Sequence, residues 1–145
     1  MRERRISKGD VYEDFSVTNR NAGRTAFRRR GRADRLCRTI TGDLAILAGH
    51  SNFCTALGMG HAHVALPDGS SREAACIGGM LSMMNGTCRV MATTWEWKED
   101  IDEERAEKAK ERAEKLLEDK SLSERDYRLA EARLKRALLR LDVKG

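Results

Sequence analysis

The chain has 145 residues, with 28 Lys/Arg against 23 Asp/Glu, a net charge of +5 and 40% hydrophobic residues. That is room for one medium domain, or for a small domain with an appendage. No apolar run approaches the roughly 20 residues of a membrane span, and Met1 to Asp10 lacks the apolar stretch of a signal peptide, so a soluble, intracellular protein is expected.

The basic excess lies at the ends: residues 1–43 carry 12 Lys/Arg against 6 Asp/Glu, and residues 44–100 carry 3 against 5. Residues 1–14 are polar, show no sustained alternation and read as a flexible extension, with Phe15 and Val17 opening a strand. The densest charge is Arg28-Arg29-Arg30-Gly31-Arg32. Such a cluster suits nucleic acid or an anionic surface, but only Phe27 accompanies it, and a solvated edge or loop is the favoured reading.

From Leu36 to Ala92 short apolar runs alternate with turn residues, the mark of an antiparallel sandwich or barrel. Leu44 to Leu47 is one run. Ala62 to Leu66 and Arg72 to Ile77 flank Pro67-Asp68-Gly69-Ser70, and Met80 to Met84 and Thr87 to Ala92 flank Asn85-Gly86; each pair predicts a hairpin. Gly78-Gly79 lies between them and predicts a bend or a close backbone approach. Cys37, Cys54, Cys76 and Cys88 are far apart among mostly apolar neighbours, which reads as small core side chains in a reducing compartment.

From Glu99 onward the period changes. Ala106, Ala109, Ala113 and Leu116/Leu117 recur at steps of three and four among charged residues, and Tyr127, Ala130, Leu134, Ala137/Leu138 and Leu141 repeat the pattern. Two helices joined at Glu118 to Leu122 are predicted, antiparallel because the connection is short. Ser123 with Asp126 three residues on marks the start of the second. The fold class is therefore α+β: an N-terminal antiparallel β-sandwich over residues 15–98, then a two-helix hairpin over residues 99–145. A buried Leu contributes about 1.5 to 3 kcal/mol and an Ala clearly less, so an alanine-rich seam packs closely but holds weakly. Glu104 with Lys108, Glu111 with Lys115 and Glu131 with Lys135 add roughly 0.2 to 0.5 kcal/mol each to the separate helices. Such a hairpin is suited to opening.

Candidate chemistry is sparse. His61 and His63 share one face of a strand, but Cys54 and Cys76 do not complete a zinc spacing with them, so no metal site is expected. His50 follows Ala48-Gly49 in a turn, where a backbone hydrogen bond is its expected role. No nucleophile–base arrangement and no phosphate-cradling glycine loop is visible, so no active site is expected in the chain. In the hairpin, helical geometry puts Asp102 on the apolar stripe, Arg105 and Arg112 along one edge of it, and Arg133, Arg136 and Arg140 in a strip beside the seam. Guanidinium forks suit phosphate or carboxylate, so this strip offers a place for a nucleotide or an acidic partner, against the plainer reading of a solvated charged face.

These residues carry a family resemblance. Gly42-Asp43-Leu44-Ala45-Ile46-Leu47-Ala48-Gly49-His50, Pro67-Asp68-Gly69, Gly78-Gly79-Met80-Leu81, Cys88-Arg89-Val90-Met91-Ala92, Glu99-Asp100-Ile101-Asp102-Glu103-Glu104-Arg105-Ala106 and Leu134 to Leu141 resemble, in order, the epsilon subunit of the bacterial F-type ATP synthase. Ala48 stands where the family has proline, and residues 1–35 follow its first strands only loosely. The resemblance implies a non-catalytic rotor subunit, peripheral to the cytoplasmic face of the bacterial plasma membrane. Its sandwich sits on the gamma subunit and the c-ring of a proton- or sodium-translocating complex, and its hairpin extends to the beta subunit to inhibit ATP hydrolysis. No cofactor is required. Some family members bind regulatory ATP, and the matching positions here are Glu96, Ile101, Asp102, Arg105, Ala106, Arg112, Arg136 and Arg140, with Leu129 replacing one further arginine. Positions expected to meet partner subunits are Asp43 and His50 in the sandwich and Arg133, Arg136 and Arg140 in the hairpin. The alternative from another class is a stand-alone nucleic-acid-binding module with a basic N-terminal arm and a helical hairpin.

Overall fold

The computed structural model describes residues 14–19, 24–30, 35–47, 51–66 and 68–145. Among the described residues seven strands come first: β1 (Asp14–Asn19), β2 (Arg24–Arg30), β3 (Arg35–Thr39), β4 (Gly42–Ile46), β5 (Phe53–Ala65), β6 (Ser71–Met84) and β7 (Thr87–Trp97). A short 3-10 turn at Lys98–Asp100 leads to helices α1 (Glu103–Glu118) and α2 (Glu124–Lys144). The strands form one hydrogen-bonded sheet in the order β2, β1, β7, β6, β5, β3, β4. Every neighbouring pair is antiparallel except β1 with β7, which is parallel.

Val17 of β1, near one edge, and Cys37 and Ile46 of β3 and β4, at the other, belong to the same buried cluster as Leu57, Leu81, Met83, Val90 and Trp95. No helix residue joins that cluster. What covers this face of the sheet is the sheet itself, folded over into a sandwich, which is how Val17 becomes fully buried on a strand near the edge.

The fold line is visible in the register. Leu57 pairs with Gly79 and Met59 with Ile77, while Gly79 pairs with Ala92 and Ile77 with Thr94, so Gly58, Gly78 and Thr93 lie side by side across three strands. On each strand the successive inward-facing positions lie an odd number of residues apart here. They run from Leu57 to Ala62 in β5, from Cys76 to Leu81 in β6 and from Ala92 to Trp95 in β7. Simple alternation would send one end of each strand to the wrong side. Gly78 and Gly79 absorb the change with φ of 69° and 128°, and a Cβ on Gly79 would lie 2.3 Å from the Met91 carbonyl oxygen. The glycine pair is thus a kink within one long strand, and β6 continues through it.

The predicted hairpins form. Leu66 and Ser70 close the β5–β6 turn by a backbone hydrogen bond of 2.7 Å, and Asp68 accepts from the Ser70 N–H at 2.9 Å. Asn85 and Gly86, both with positive φ, turn β6 into β7. Of the cysteines, Cys37, Cys76 and Cys88 are buried as expected, whereas Cys54 is exposed. Burial pushes the Cys76 thiol up to about 12.

In the hairpin Asp102 caps α1 by accepting the Arg105 N–H at 2.9 Å, and Ser123 caps α2 by accepting the Asp126 N–H at 3.1 Å. Asp102 is therefore an exposed cap, not a member of the buried stripe. The seam between the helices is narrower than the periodicity suggests: Ala106 and Ala113 meet Ala130 and Ala137, while Ala109, Leu116, Tyr127 and Leu138 remain exposed. Glu104 pairs with Lys108 and Glu131 with Lys135, but no Glu111–Lys115 pair forms. No described helix is long and apolar enough to cross a membrane.

Candidate functional site

α2 is the helix that rests on the sheet, against β5 and β6. Val143 is fully buried with Ala75 of β6 and Ile101, and Leu139 packs on them. Around this small cluster polar contacts tie the last turns of α2 down. His61 of β5 meets Asp142 at 2.6 Å, Arg140 pairs with Glu96 of β7, and Lys144 donates to the Lys98 carbonyl at 3.3 Å. Arg72 pairs with Glu99 while its guanidinium lies 3.8 Å over the Trp97 ring, which fixes the segment entering the hairpin. The backbone N–H of Glu99, then Arg72, lowers the Glu99 carboxyl below its usual range.

Docking α2 against both α1 and the sheet leaves clefts lined by arginine. One, about 180 Å³, collects Glu96, Asp102, Arg105, Ala106 and Arg140, with Asp100 and Ala109. A second, about 380 Å³, runs between the helices; Arg112 of α1 and Arg133, Arg136 and Arg140 of α2 stand over Ala109, Ala113 and Leu116. A third, about 580 Å³, lies between α2 and the fold line and is again lined by Arg136 and Arg140. The guanidinium groups of Arg105, Arg112, Arg133 and Arg136 have no hydrogen-bond or ion-pair partner among the described residues; Arg140 has Glu96. Unpaired guanidinium forks converging on an open groove suit a ligand rich in phosphate oxygens, and the carboxylates at one end suit hydroxyl or amino donors.

Of the sequence-predicted site residues, the structure brings together Glu96, Asp102, Arg105, Ala106 and Arg140 around the first cleft and Arg112, Arg133, Arg136 and Arg140 around the second. Ile101 is buried in the cluster that seats α2 and lines none of these clefts. Asp43, on β4, pairs with Arg38 at 3.1 Å, far in the sheet order from β7. His50 and the loop around it lie outside the described residues, as do Gly31, Arg32 and the side chains of Arg28 to Arg30. Sequence reasoning missed Asp100, which lines the first cleft, and the pairing of His61 with Asp142. Asp100 stands within the quoted motif, so its acidity was the available signal; the His61 contact spans 81 residues and leaves no local mark.

The description "ATP synthase, Delta/Epsilon chain, beta-sandwich domain" matches residues 31–98, and "ATP synthase, Delta/Epsilon chain, long alpha-helix domain" matches residues 99–145. The chain belongs to the delta/epsilon family of ATP synthase subunits. It is 43% identical over 106 residues to the ATP synthase epsilon chain of Caldicellulosiruptor bescii, covering 73% of this chain and 76% of that one. It is 36% identical over 110 residues to the epsilon chain of Ligilactobacillus salivarius, covering 74% and 79%. The fold is shared with a chain of the Euglena gracilis mitochondrial ATP synthase (OSCP/F1/c-ring), at a TM-score of 0.74 and 22% identity over 93% of this chain and 84% of that one. As an epsilon chain of the F-type ATP synthase it is a non-catalytic subunit, and family membership decides against the stand-alone nucleic-acid module.

Proposed function

We propose that this epsilon chain is a rotor subunit of the central stalk, and that its hairpin restrains ATP hydrolysis when extended and is held shut by ATP. Residues 15–98 form the unit that binds the gamma subunit and the c-ring, with Asp43 and His50 among the contacts, at the cytoplasmic face of the membrane. Residues 99–145 form the regulatory unit, which reaches the beta subunit on opening. The stalk assignment is supported by the assembly that contains a second structural neighbour, the central stalk and c-ring of the Tetrahymena thermophila mitochondrial ATP synthase; that neighbour has a TM-score of 0.61 and 12% identity over 92% of this chain and 96% of that one.

The observation that carries the switch is the imbalance of the closed hairpin. Four alanines form its seam, α2 is the helix that makes the main contact with the sheet, and the guanidinium groups of Arg105, Arg112, Arg133 and Arg136 have no partner among the described residues. Repulsion among those arginines favours opening, and a polyphosphate bound between Arg105 of α1 and Arg136 of α2 favours closure, since a ligand shifts a population only through differential contact. Once the hairpin is extended, Arg133, Arg136 and Arg140 are available to acidic residues of a partner.

A complex assembled with a chain ending at Glu99 is expected to hydrolyse ATP faster than one with the full chain while still pumping ions. Unchanged hydrolysis, with the truncated subunit confirmed bound, overturns the inhibitory role. Arg105→Ala and Arg136→Ala are each expected to weaken ATP binding to the isolated chain by at least about 1.5 kcal/mol, the low end for a charge-assisted hydrogen bond. Calorimetry showing equal affinity in both variants and the unsubstituted chain discards the site.

A further inference from the structure

The end of α2 lands on a cross-strand row. His61 of β5, Ala75 of β6 and Glu96 of β7 stand side by side in the register. Val143 packs on Ala75 in the middle, Arg140 pairs with Glu96 on one flank, and Asp142 meets His61 at 2.6 Å on the other. The two flanks respond differently to protons. Arginine keeps its charge throughout, whereas histidine is the side chain whose ordinary titration falls between about pH 5 and 8. A neutral imidazole gives Asp142 one hydrogen bond, and an imidazolium adds a charge pair to it. Asp142 also lies in the last turn of α2, where the helix dipole opposes a carboxylate and favours a cation, so an imidazolium is drawn to the helix end as well as to the carboxylate.

The other charged groups around this imidazole have partners of their own. On β6, Glu73 stands opposite His63 and pairs with Lys98 at 3.4 Å. On β3, Arg38 lies against Gly60 and pairs with Asp43 at 3.1 Å. On α2, Lys135 is on the same side as Asp142, about two turns earlier, and pairs with Glu131 at 3.1 Å; Lys144 donates to the Lys98 carbonyl. His63, on the same face of β5, is the other histidine among the described residues.

We propose that His61 and Asp142 form a proton-sensitive clasp, which fastens the tail of the hairpin to the sandwich more firmly as the pH falls through the histidine range. This rests on the reading of the hairpin as a switch between docked and extended forms, and adds to it a second effector, the proton, acting away from the arginine-lined clefts. Differential contact supplies the bias. In the extended form the two side chains are apart, so the docked form holds the proton more tightly and gains population at lower pH. The contribution is fullest below the histidine range and is lost as the pH rises through it; it is also lost where stronger acid neutralises Asp142. The side chains are 45% and 75% exposed, so solvent screening holds the change in the docking equilibrium to about two- to fivefold. Because the docked hairpin is the form that leaves hydrolysis unrestrained, acid on the side of the membrane where the hairpin lies relieves the inhibition, and alkali restores it.

The test is amide exchange at Ile101, which packs with Val143 and whose N–H donates to the Lys98 carbonyl, in the full chain and in His61→Gln. Comparing the two at the same pH cancels the chemical rate of exchange. Glutamine keeps a donor for Asp142 and does not titrate. Protection in the unsubstituted chain, relative to the variant, is therefore expected to be near equality at about pH 8 and to rise about two- to fivefold by about pH 5.5. Asp142→Asn is expected to abolish the rise and His63→Gln to leave it in place. A ratio that stays flat overturns the clasp, and so does a rise that persists in Asp142→Asn or disappears in His63→Gln. In the assembled complex, the ratio of hydrolysis rates, unsubstituted chain over His61→Gln, is expected to rise about twofold between about pH 8 and pH 6. A constant ratio there overturns the regulatory role. Should a chain ending at Glu99 leave hydrolysis unchanged, the switch reading fails separately, and the exchange ratio still decides the clasp.

Discussion

The sandwich core and the helix seam bury hydrophobic side chains of different sizes, and the difference sets what it costs to break each. The core gathers Leu57, Leu81, Met83, Val90, Trp95 and Trp97 from strands that share one continuous ladder. The seam has Ala106 and Ala113 against Ala130 and Ala137. Removing a core side chain forfeits transfer energy and leaves a cavity, whereas an alanine seam has little of either to lose. Separating the helices therefore costs little, while separating the two layers of the sandwich means unfolding it. A third kind of contact, the small cluster of Val143, Ala75 and Ile101, joins these two regions.

The largest expected effect is in the core. Leu81 is fully buried, and Leu81→Ala is expected to destabilise the sandwich by about 2 to 5 kcal/mol in denaturant titration. A loss below about 1 kcal/mol breaks the contrast, because the core is then no better packed than the seam.

The intermediate effect concerns the cluster between the two regions. Val143→Asp places a carboxylate against Ala75 and Ile101, and a buried charge without a partner is strongly unfavourable. The hairpin is expected to leave the sheet, with amide exchange at Ile101 faster and the sandwich still folded. Exchange unchanged at Ile101 transfers the seating of α2 to its polar contacts, chiefly Arg140 with Glu96 and Asp142 with His61.

Much of this contrast was legible in the sequence, for local reasons. Asn85-Gly86 announces a turn because its backbone angles demand it, and the alanine period announces a weak seam. The chain's register was less legible. Gly78-Gly79 announces the bend and close approach that form, but not that β6 runs on through the pair, which it does because neighbouring strands kink together and keep their ladder. The width of the buried stripe was overestimated for a related reason: a period identifies a face but not how far a partner helix covers it, so Tyr127 and Leu138 were expected inside and are exposed. For the candidate site, spacing alone put the basic strip on one side of α2. The resemblance named Glu96, but only the fold sets Glu96 on Arg140.

The smallest expected effect lies at the junction of the two regions, and its sign follows from Glu99. Its carboxyl titrates below the usual 4.5 because its own backbone N–H, Arg72 and the more distant charge of Lys144 favour the ionised form. A depressed folded-state value means stability that is fully present above the unfolded-state value and is lost as the pH falls through the folded one. Arg72 comes from β6 and Lys144 from the end of α2, so protonating Glu99 weakens the hold of the junction on both. The side chain is 54% exposed, so solvent screening keeps the effect small. Other carboxylates titrate over the same range, and the informative quantity is the difference from Glu99→Gln. The unsubstituted chain should be the more stable at neutral pH, and the two should converge as the pH drops below the carboxylate range. A constant difference across that range separates the junction's stability from Glu99 ionisation and assigns it to the stacking of Arg72 on Trp97, which does not titrate there.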